Sequence, residues 1–254
     1  MPKRIGKQLI YGALYLVVLA ALIVGIYFLF VRPAPSCTNG IKDRGEAGVD
    51  CGGICANFCL PADLKPIELV GKQVIIFHPT GAKISLLAQI RNANQAWAAR
   101  NFVYKFTLYD PDNKVVVTQT GNSFIYGAEI KYLTAFLDQD VAEAGRAELE
   151  ISDIAWAPAA TFGKPSLSFQ DHAIETGLTG LRITGKVKNN DEVPFYSPEV
   201  VIVLYGSAGQ PLGVSKTGMG EINASEVESF TVFHPALPGV VPQRTEYYVY
   251  AARP

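Results

Sequence analysis

Two stretches of alternating residues decide the fold: ISLLAQIRN at residues 84–92 and LRITGKVKN at residues 181–189. In both, every second residue up to Ile90 and Val187 is apolar or small, and most of the residues between are polar. A strand with one buried face requires this period of two. Beyond Pro61 the chain continues with short apolar runs separated by Gly, Pro, Asn and Asp. The pattern predicts antiparallel sheets and an all-β fold for this part of the chain.

The two stretches belong to an internal repeat with an offset of 97 residues. The same offset places Leu133 on Phe230, and an offset of 96 aligns FTLYD at residues 106–110 with IVLYG at residues 202–206. A duplication is the simplest account. Each copy then has about 90 to 95 residues, a size that suits one seven-stranded sandwich with a single core. We therefore predict two tandem β-sandwiches joined by a short linker.

The aligned strands also carry a family resemblance. FTLYD is an F-x-L-Y-D string, and GKVKNN at residues 185–190, followed by Leu204-Tyr205, is similar to the rest of the same module's pattern. The first copy departs from the pattern at Ala93, and the second at Ile202 and Gly206. Together the copies resemble tandem FxLYD-type domains of prokaryotic envelope proteins. The resemblance implies small immunoglobulin-like sandwiches and no catalytic residues.

The N-terminus carries an uncharged apolar stretch from Leu9 to Val31. At about 1.5 Å per residue it reaches roughly 35 Å as a helix, which is enough to cross a bilayer. Lys3, Arg4 and Lys7 precede it, whereas only Arg32 follows closely. Basic residues concentrate on the cytoplasmic side of membrane helices. We therefore predict an uncleaved single-pass anchor in the cell membrane, with a cytoplasmic N-terminus and an extracytoplasmic C-terminal part.

A cleaved signal peptide is the alternative, but its apolar core has about 7 to 15 residues and a small-residue cleavage site. The stretch in this chain is longer. Within it, Ala21 and Gly25 form a small-x-x-x-small pair, which predicts a packing site for a second helix. The alternative is that both are ordinary lipid-facing small residues.

Net charge argues against a nucleic-acid partner. Of 22 Lys and Arg, three precede the helix, so the exported part carries 19 against 23 Asp and Glu, a net charge of −4. Nucleic-acid binders normally show a basic surplus clustered in one patch. A cytoplasmic tail of about eight residues is also too short for a folded domain. We expect partners among membrane and envelope proteins.

The four cysteines lie together in a Gly- and Asp-rich segment, at Cys37, Cys51, Cys55 and Cys59. An even number of cysteines in a coreless segment outside the membrane predicts two disulfides. Three pairings are possible from the sequence. Closing the loop from Cys37 to Cys51 alone would contribute about 3 kcal/mol on the loop-entropy model.

The stretch from Cys37 to Cys55 also resembles C-x-[DN]-G-x-x-[DN]-x-x-E-x-x-x-D-C-G-G-x-C segments of prokaryotic surface proteins. Such segments resemble linkers or small knobs. The spacing of their acidic residues suggests calcium as a cofactor, with oxygen ligands from Asn39, Asp43, Glu46 and Asp50. Two alternatives remain: the same side chains hold tight turns through Asx-type bonds, or four thiolates bind zinc.

The sequence contains no linear motif of the common catalytic types. We found no G-x-S-x-G elbow, H-E-x-x-H pair or Gly-rich phosphate loop. Three histidines are scattered over the two copies at positions that are not equivalent. We therefore expect a protein that is not an enzyme and has no evident small-molecule substrate. A hydrolase with a spatially assembled site is the least favoured alternative.

Loop aromatics are the best candidates for a binding surface. Trp97 in one copy and Phe195 and Tyr196 in the other fall in equivalent connections. Exposed aromatics on such loops are common recognition elements. The alternative is that they cap the open end of the core or pack between the copies.

The predicted organisation is a cytoplasmic tail (1–8), a transmembrane helix (9–31), a cysteine-rich neck (36–61) and two β-sandwiches (65–160 and 164–254). We expect a structural or protein-binding accessory component of the cell envelope. A surface protein that recognises a cell or a glycan is the alternative.

Overall fold

The computed structural model describes residues 3–28, 35–79, 84–137, 145–177 and 179–253. The chain divides into two compact units, Met1–Cys59 and Leu60–Pro254. Some predicted positions lie outside the described residues: residues 1–2 of the tail, residues 29–31 of the transmembrane span, residues 80–83 and 138–144 of the first sandwich, and residues 178 and 254 of the second.

The first unit begins with helix α1, Lys3–Ile26. It starts earlier than the predicted span because basic residues, like Leu and Ala, are good helix formers. Its segment Ile5–Ile26 has a mean hydropathy of 2.6, and none of it is buried. Twenty-two residues reach roughly 33 Å. Length and composition are therefore sufficient for a membrane span, although a signal sequence has the same properties.

The second unit is all-β, and its strands follow the alternating runs of the sequence. The described strands are β1 (Glu68–Leu69), β2 (Ile75–Phe77), β3 (Ile84–Arg91), β4 (Trp97–Tyr109), β5 (Val115–Ile125), β6 (Ile130–Leu137), β7 (Arg146–Pro158), β8 (Leu167–Thr176), β9 (Gly180–Asn189), β10 (Glu199–Tyr205), β11 (Pro211–Gly218), β12 (Val227–Pro235) and β13 (Glu246–Tyr250).

These strands form four antiparallel sheets. In sheet 1, β3 pairs with β1 and β2 on one side and with β6 on the other. Sheet 2 has the order β5-β4-β7, sheet 3 the order β12-β9-β8, and sheet 4 the order β11-β10-β13. Sheets 1 and 2 come from the first half of the unit, and sheets 3 and 4 from the second.

Two hydrophobic cores each lie between two sheets, which is the arrangement of a β-sandwich. The first core packs Leu86 of sheet 1 with Phe102 and Phe106 of sheet 2. The second packs Ile183 of sheet 3 with Ile202 of sheet 4. All five are at most 1% exposed. Truncating either Phe to Ala would cost about 3 to 5 kcal/mol.

A third buried cluster joins the two halves of the unit. It packs Phe77, Leu87 and Tyr132 of sheet 1 against Val203 and Val214, among others, of sheet 4. Strand β3 is consequently buried on both faces. The prediction of one buried face for residues 84–90 was therefore wrong, because sheet 4 covers the second face. The predicted domain boundaries are not tested by this packing and stay predictions.

The two halves pair their strands in the same register. Ala88 lies opposite Leu133 in sheet 1, and Gly185 lies opposite Phe230 in sheet 3. Both pairs are related by the offset of 97 seen in the sequence. Sheets 2 and 4 correspond in the same way at an offset of 96, since Leu108 pairs with Val117 and Leu204 with Gly213. The sequence repeat is thus also a repeat of strand pairing.

Candidate functional site

The neck is held by two disulfides, Cys37–Cys55 and Cys51–Cys59, with Cα–Cα distances of 5.7 and 5.0 Å. Two disulfides were predicted, and no cysteine is free. Of the three pairings that the sequence left open, Cys37 pairs with Cys55, at a sequence separation of 18. A closed loop of about this length contributes about 3 kcal/mol on the entropy model. The two loops overlap in sequence, so they constrain the same segment.

The glycine pair after Cys51 is required by the local backbone. Gly53 has a φ of 62°, and a Cβ at this position would overlap the carbonyl oxygen of Gly45. Only glycine adopts this conformation without strain. The D-C-G-G-x-C pattern therefore reflects the path of the chain between the disulfides.

Two acidic side chains of the neck accept hydrogen bonds from nearby N–H groups. The Asp50 carboxylate accepts from the backbone of Asn39 at 2.9 Å and of Gly40 at 2.7 Å. Asp43 Oδ2 accepts from the Ser36 backbone and from Asn39 Nδ2, both at 2.9 Å. These bonds close turns in a segment that has no sheet or helix to satisfy its backbone donors.

Glu46 is the buried member of the set, at 8% exposure. Its Oε2 accepts from the backbone N–H groups of Asp43 at 3.0 Å and Asp50 at 3.2 Å. Its Oε1 lies 3.2 Å from Cys55 Sγ. That sulfur is in a disulfide with Cys37 and carries no hydrogen, so the approach is a contact and not a hydrogen bond. Glu46 thus links the turns to the disulfide.

These contacts bear on the metal predictions. The zinc alternative was wrong, because all four sulfurs are in disulfides and none is a thiolate. The hydrogen bonds correspond to the turn alternative. Calcium binding by Asn39, Asp43, Glu46 and Asp50 stays a prediction, and an ion would have to compete with N–H donors for the same oxygens.

Equivalent buried asparagines fix equivalent loops in the two halves. Asn92 Nδ2 donates to the carbonyls of Trp97 at 2.7 Å and Tyr126 at 3.0 Å. Asn189 Nδ2 donates to those of Val193 at 2.8 Å and Asn223 at 3.0 Å. Each Oδ1 accepts the backbone N–H two residues later. Both side chains are fully buried, so the two asparagines serve the structure of the loops.

The three predicted loop aromatics differ in accessibility. Phe195 is fully buried and its backbone bonds to Ile222, so its prediction as an exposed recognition residue was wrong. The guanidinium carbon of Arg253 lies 5.9 Å from the centroid of its ring. Trp97 opens β4 and is half-buried. Tyr196 is 61% exposed and remains a candidate for partner binding.

A buried lysine lies where the two halves meet. Lys131 in β6 is 2% exposed. Its ammonium lies 3.5 Å from the ring centroid of Phe124 in sheet 2 and 4.7 Å from that of Tyr250 in sheet 4. Burial lowers the pKa of Lys131 to about 8, although Glu129 and Glu199 nearby oppose the shift. No sequence pattern predicts the burial of this cation, because its aromatic neighbours come from distant strands.

The C-terminal segment ties the halves together beside this lysine. The Tyr126 hydroxyl donates to the carbonyl of Ala251 at 2.7 Å and accepts from the backbone of Arg253 at 3.1 Å. The Arg253 guanidinium bonds Asp191 at 2.7 Å and the Gly163 carbonyl at 2.9 Å. The C-terminal segment therefore contacts three parts of the unit: the loop after β5, the residues between the two sandwiches, and the second sandwich.

A surface groove and a buried histidine are the features relevant to catalysis that we describe. A surface groove of about 450 Å³ crosses sheet 3, where Asp171 and Lys186 form an ion pair at 3.3 Å. His234 is buried, which lowers its pKa, and its Nδ1 lies 2.8 Å from the carbonyl of Pro235. Neither arrangement supplies a nucleophile with an aligned base.

The sequence matches no protein-family model and no curated protein. Among solved structures, a Bacteroides uniformis beta-glucuronidase matches at 14% identity and a TM-score of 0.25, over 61% of this chain and 22% of that one. Red sea bream transglutaminase matches at 14% identity and a TM-score of 0.23, over 70% and 31%. A Parabacteroides merdae beta-glucuronidase matches at 10% identity and a TM-score of 0.19, over 87% and 33%.

This chain thus spans between about a fifth and a third of the length of those proteins. TM-scores this low carry no argument about fold or activity. The helix, the neck and the sheets define the class directly: a β-domain protein with disulfides and an N-terminal helix of membrane-spanning length and composition.

Proposed function

We propose that this protein is a single-pass component of a prokaryotic cell envelope, with its N-terminus in the cytoplasm and its β unit outside. The observation that carries the proposal is the segment Ile5–Ile26, which has a mean hydropathy of 2.6 and is not buried by the described protein. Lys3, Arg4 and Lys7 support the orientation. The disulfides of the neck also support an exported location, because disulfides persist in oxidising compartments.

The β unit is a tandem duplication of an immunoglobulin-like sandwich of the FxLYD type. The shared register of sheets 1 and 3 supports the duplication. So does the shared environment of Asn92 and Asn189, since each bonds a carbonyl 33 or 34 residues further on. In chain order, the disulfide-braced neck separates these modules from the helix.

The protein acts as a structural or protein-binding accessory subunit, and not as an enzyme. Its helix offers Ala21 and Gly25 for packing on a partner helix. Apart from the adjacent backbone of its own helix, no atom of the described residues lies within 4 Å of the position that a Cβ of Gly25 would take. Direct recognition of another cell or a glycan is the second candidate. It is favoured by Tyr196 and by Phe233, which is 72% exposed in β12.

In-membrane crosslinking followed by mass spectrometry distinguishes these roles. It compares the intact protein, a variant with a foreign helix in place of Ile5–Ile26, and the double variant Tyr196→Ala, Phe233→Ala. Phe195→Ala is unsuitable, because it would empty a core position. Partners lost with the helix exchange indicate an accessory subunit, and partners lost with the aromatic variant indicate recognition. If neither variant changes any partner, the proposed function is wrong.

A further inference from the structure

The internal interface is built from two particular sheet faces. Sheet 1 contributes Leu87, which is 2% exposed, and sheet 4 contributes Val201, Val203 and Val214, which are at most 1% exposed. Such apolar burial stabilises the contact by about 25 cal/mol per Å² removed from water. Because the halves are repeats, each of these faces has an equivalent face elsewhere in the molecule.

The equivalent of the sheet 1 face is the outer face of sheet 3, and its composition differs. Strand pairing fixes the correspondence: Leu87 lies opposite Thr134, and Thr184 lies opposite Thr231, each related by 97 residues. Leu87 therefore corresponds to Thr184. The residues two positions away on the same strand also differ. Ser85 corresponds to Arg182 and Gln89 to Lys186, so uncharged residues of sheet 1 are replaced by charged residues in sheet 3. The Arg182 and Lys186 side chains are 52% and 49% exposed.

The equivalent of the sheet 4 face is the outer face of sheet 2. Val203 lies opposite Val214, and Thr107 lies opposite Thr118, each related by 96 residues. The valine pair of the interface is thus a threonine pair on the other face. In the adjacent pairs, Val201 corresponds to Lys105 and Tyr248 to Glu150. Lys105 and Glu150 form an ion pair whose side chains are 43% and 64% exposed.

We infer that the faces of sheets 1 and 4 are a docking pair dedicated to each other, and that the outer faces of sheets 2 and 3 are terminal surfaces, which means that they do not bind a second copy of this chain. The two sandwiches then form one closed stack and move as a single body. If the duplicated faces had kept the same binding property, sheet 3 of one chain would dock on sheet 2 of a second chain. Repeating such a contact from chain to chain gives an open filament instead of a closed assembly. Arg182, Lys186 and Lys105 are paired with Glu175, Asp171 and Glu150 at the exposed surface. Burying these ion pairs in such a contact would be unfavourable, because the cost of removing them from water can exceed their attraction. This inference does not depend on the membrane anchor.

The labelling rate of the Lys131 amine reports whether the contact between sheets 1 and 4 is closed. It is measured in the full-length protein, solubilised in detergent. Amine-reactive labelling with mass spectrometry should modify Lys131 at least about tenfold more slowly than Lys186, because an amine at the closed interface reacts only on opening. Labelling of Lys131 as fast as Lys186 in the folded protein would overturn the inference.

The matched variants exchange residues between the interface face of sheet 4 and the equivalent outer face of sheet 2. Val201→Lys places the residue of position 105 in the interface and should remove the protection of Lys131 while the far-ultraviolet signal stays β-type. The reverse change, Lys105→Val, should leave Lys131 protected and the protein's mass in solution unchanged. If Val201→Lys fails to fold, Val203→Thr, which carries over the residue of position 107, provides the same comparison with a smaller increase in labelling. Protection unchanged in both interface variants, or lost in Lys105→Val, contradicts the inference.

Discussion

Replacing Lys131 with Met should stabilise the protein at neutral pH. A pKa of about 8 in place of 10.5 corresponds to about 3 kcal/mol of destabilisation by the charged ammonium. The contacts with the rings of Phe124 and Tyr250 return about 1 to 2 kcal/mol. Methionine has a similar length and adapts to irregular space. The expected net gain in the free energy of unfolding is therefore about 1 to 2 kcal/mol at pH 7.

The gain should shrink as the pH rises. Between about pH 8 and 10.5 the unfolded chain keeps the Lys131 proton and the folded chain does not, so the wild type becomes more stable across this range. Glu129 and Glu199 raise this pKa, whereas Lys216 and Lys164 lower it. The neighbouring Tyr250 stays neutral here, because burial raises its pKa.

Denaturant unfolding of the full-length protein and the variant at pH 7 and pH 10 measures this difference. Lys186→Met is the control, since that side chain is 49% exposed, and it should change stability by less than about 0.5 kcal/mol at both pH values. The reasoning is refuted if Lys131→Met destabilises the protein at pH 7 or shows a gain that does not change with pH.

Three further predictions concern the neck and the sandwiches. Mass spectrometry should show a gain of four protons on reduction, matching the two disulfides; four alkylatable thiols in the exported protein would contradict this. Asn92→Ala and Asn189→Ala should each destabilise the protein by about 2 to 4 kcal/mol in a thermal melt, because each leaves buried carbonyls unpaired; wild-type melts would refute the role of these side chains. A fragment of residues 164–254 should give a cooperative β-type melt from its own core, at a lower midpoint because the sheet 4 face is uncovered; a non-cooperative melt would place the domain boundary elsewhere.

The sequence was sufficient for the strands and their pairing because the period of two and the repeat are local signals. The alternation at residues 84–90 and 181–187 identified inward faces that the structure buries. It did not identify the second buried face of β3, since that depends on which sheet lies against it. Leu87 and Val203 indicate this second buried face in the sequence, because they are apolar at positions where a solvent-facing strand would carry polar residues.

The sequence predicts the candidate sites less completely than the strands, because side-chain exposure depends on contacts between residues that are distant in the chain. Phe195 and Tyr196 are neighbours in the chain, yet one is fully buried and the other is 61% exposed. Residue type alone does not distinguish them. Lys131 lies among apolar residues in β6, and its environment depends on Tyr250, which is 119 positions away. The spacing of the acidic residues in the neck identifies them as candidates, but only the structure assigns their oxygens to backbone donors.

The most direct test of the membrane-anchored account is protease treatment of intact cells or spheroplasts, read with one antibody to the N-terminus and one to residues 60–253. The account predicts that the β unit is digested, while a short fragment containing Ile5–Ile26 remains protected. Protection of the β unit in intact spheroplasts, or a mature N-terminus located after residue 31, would contradict it.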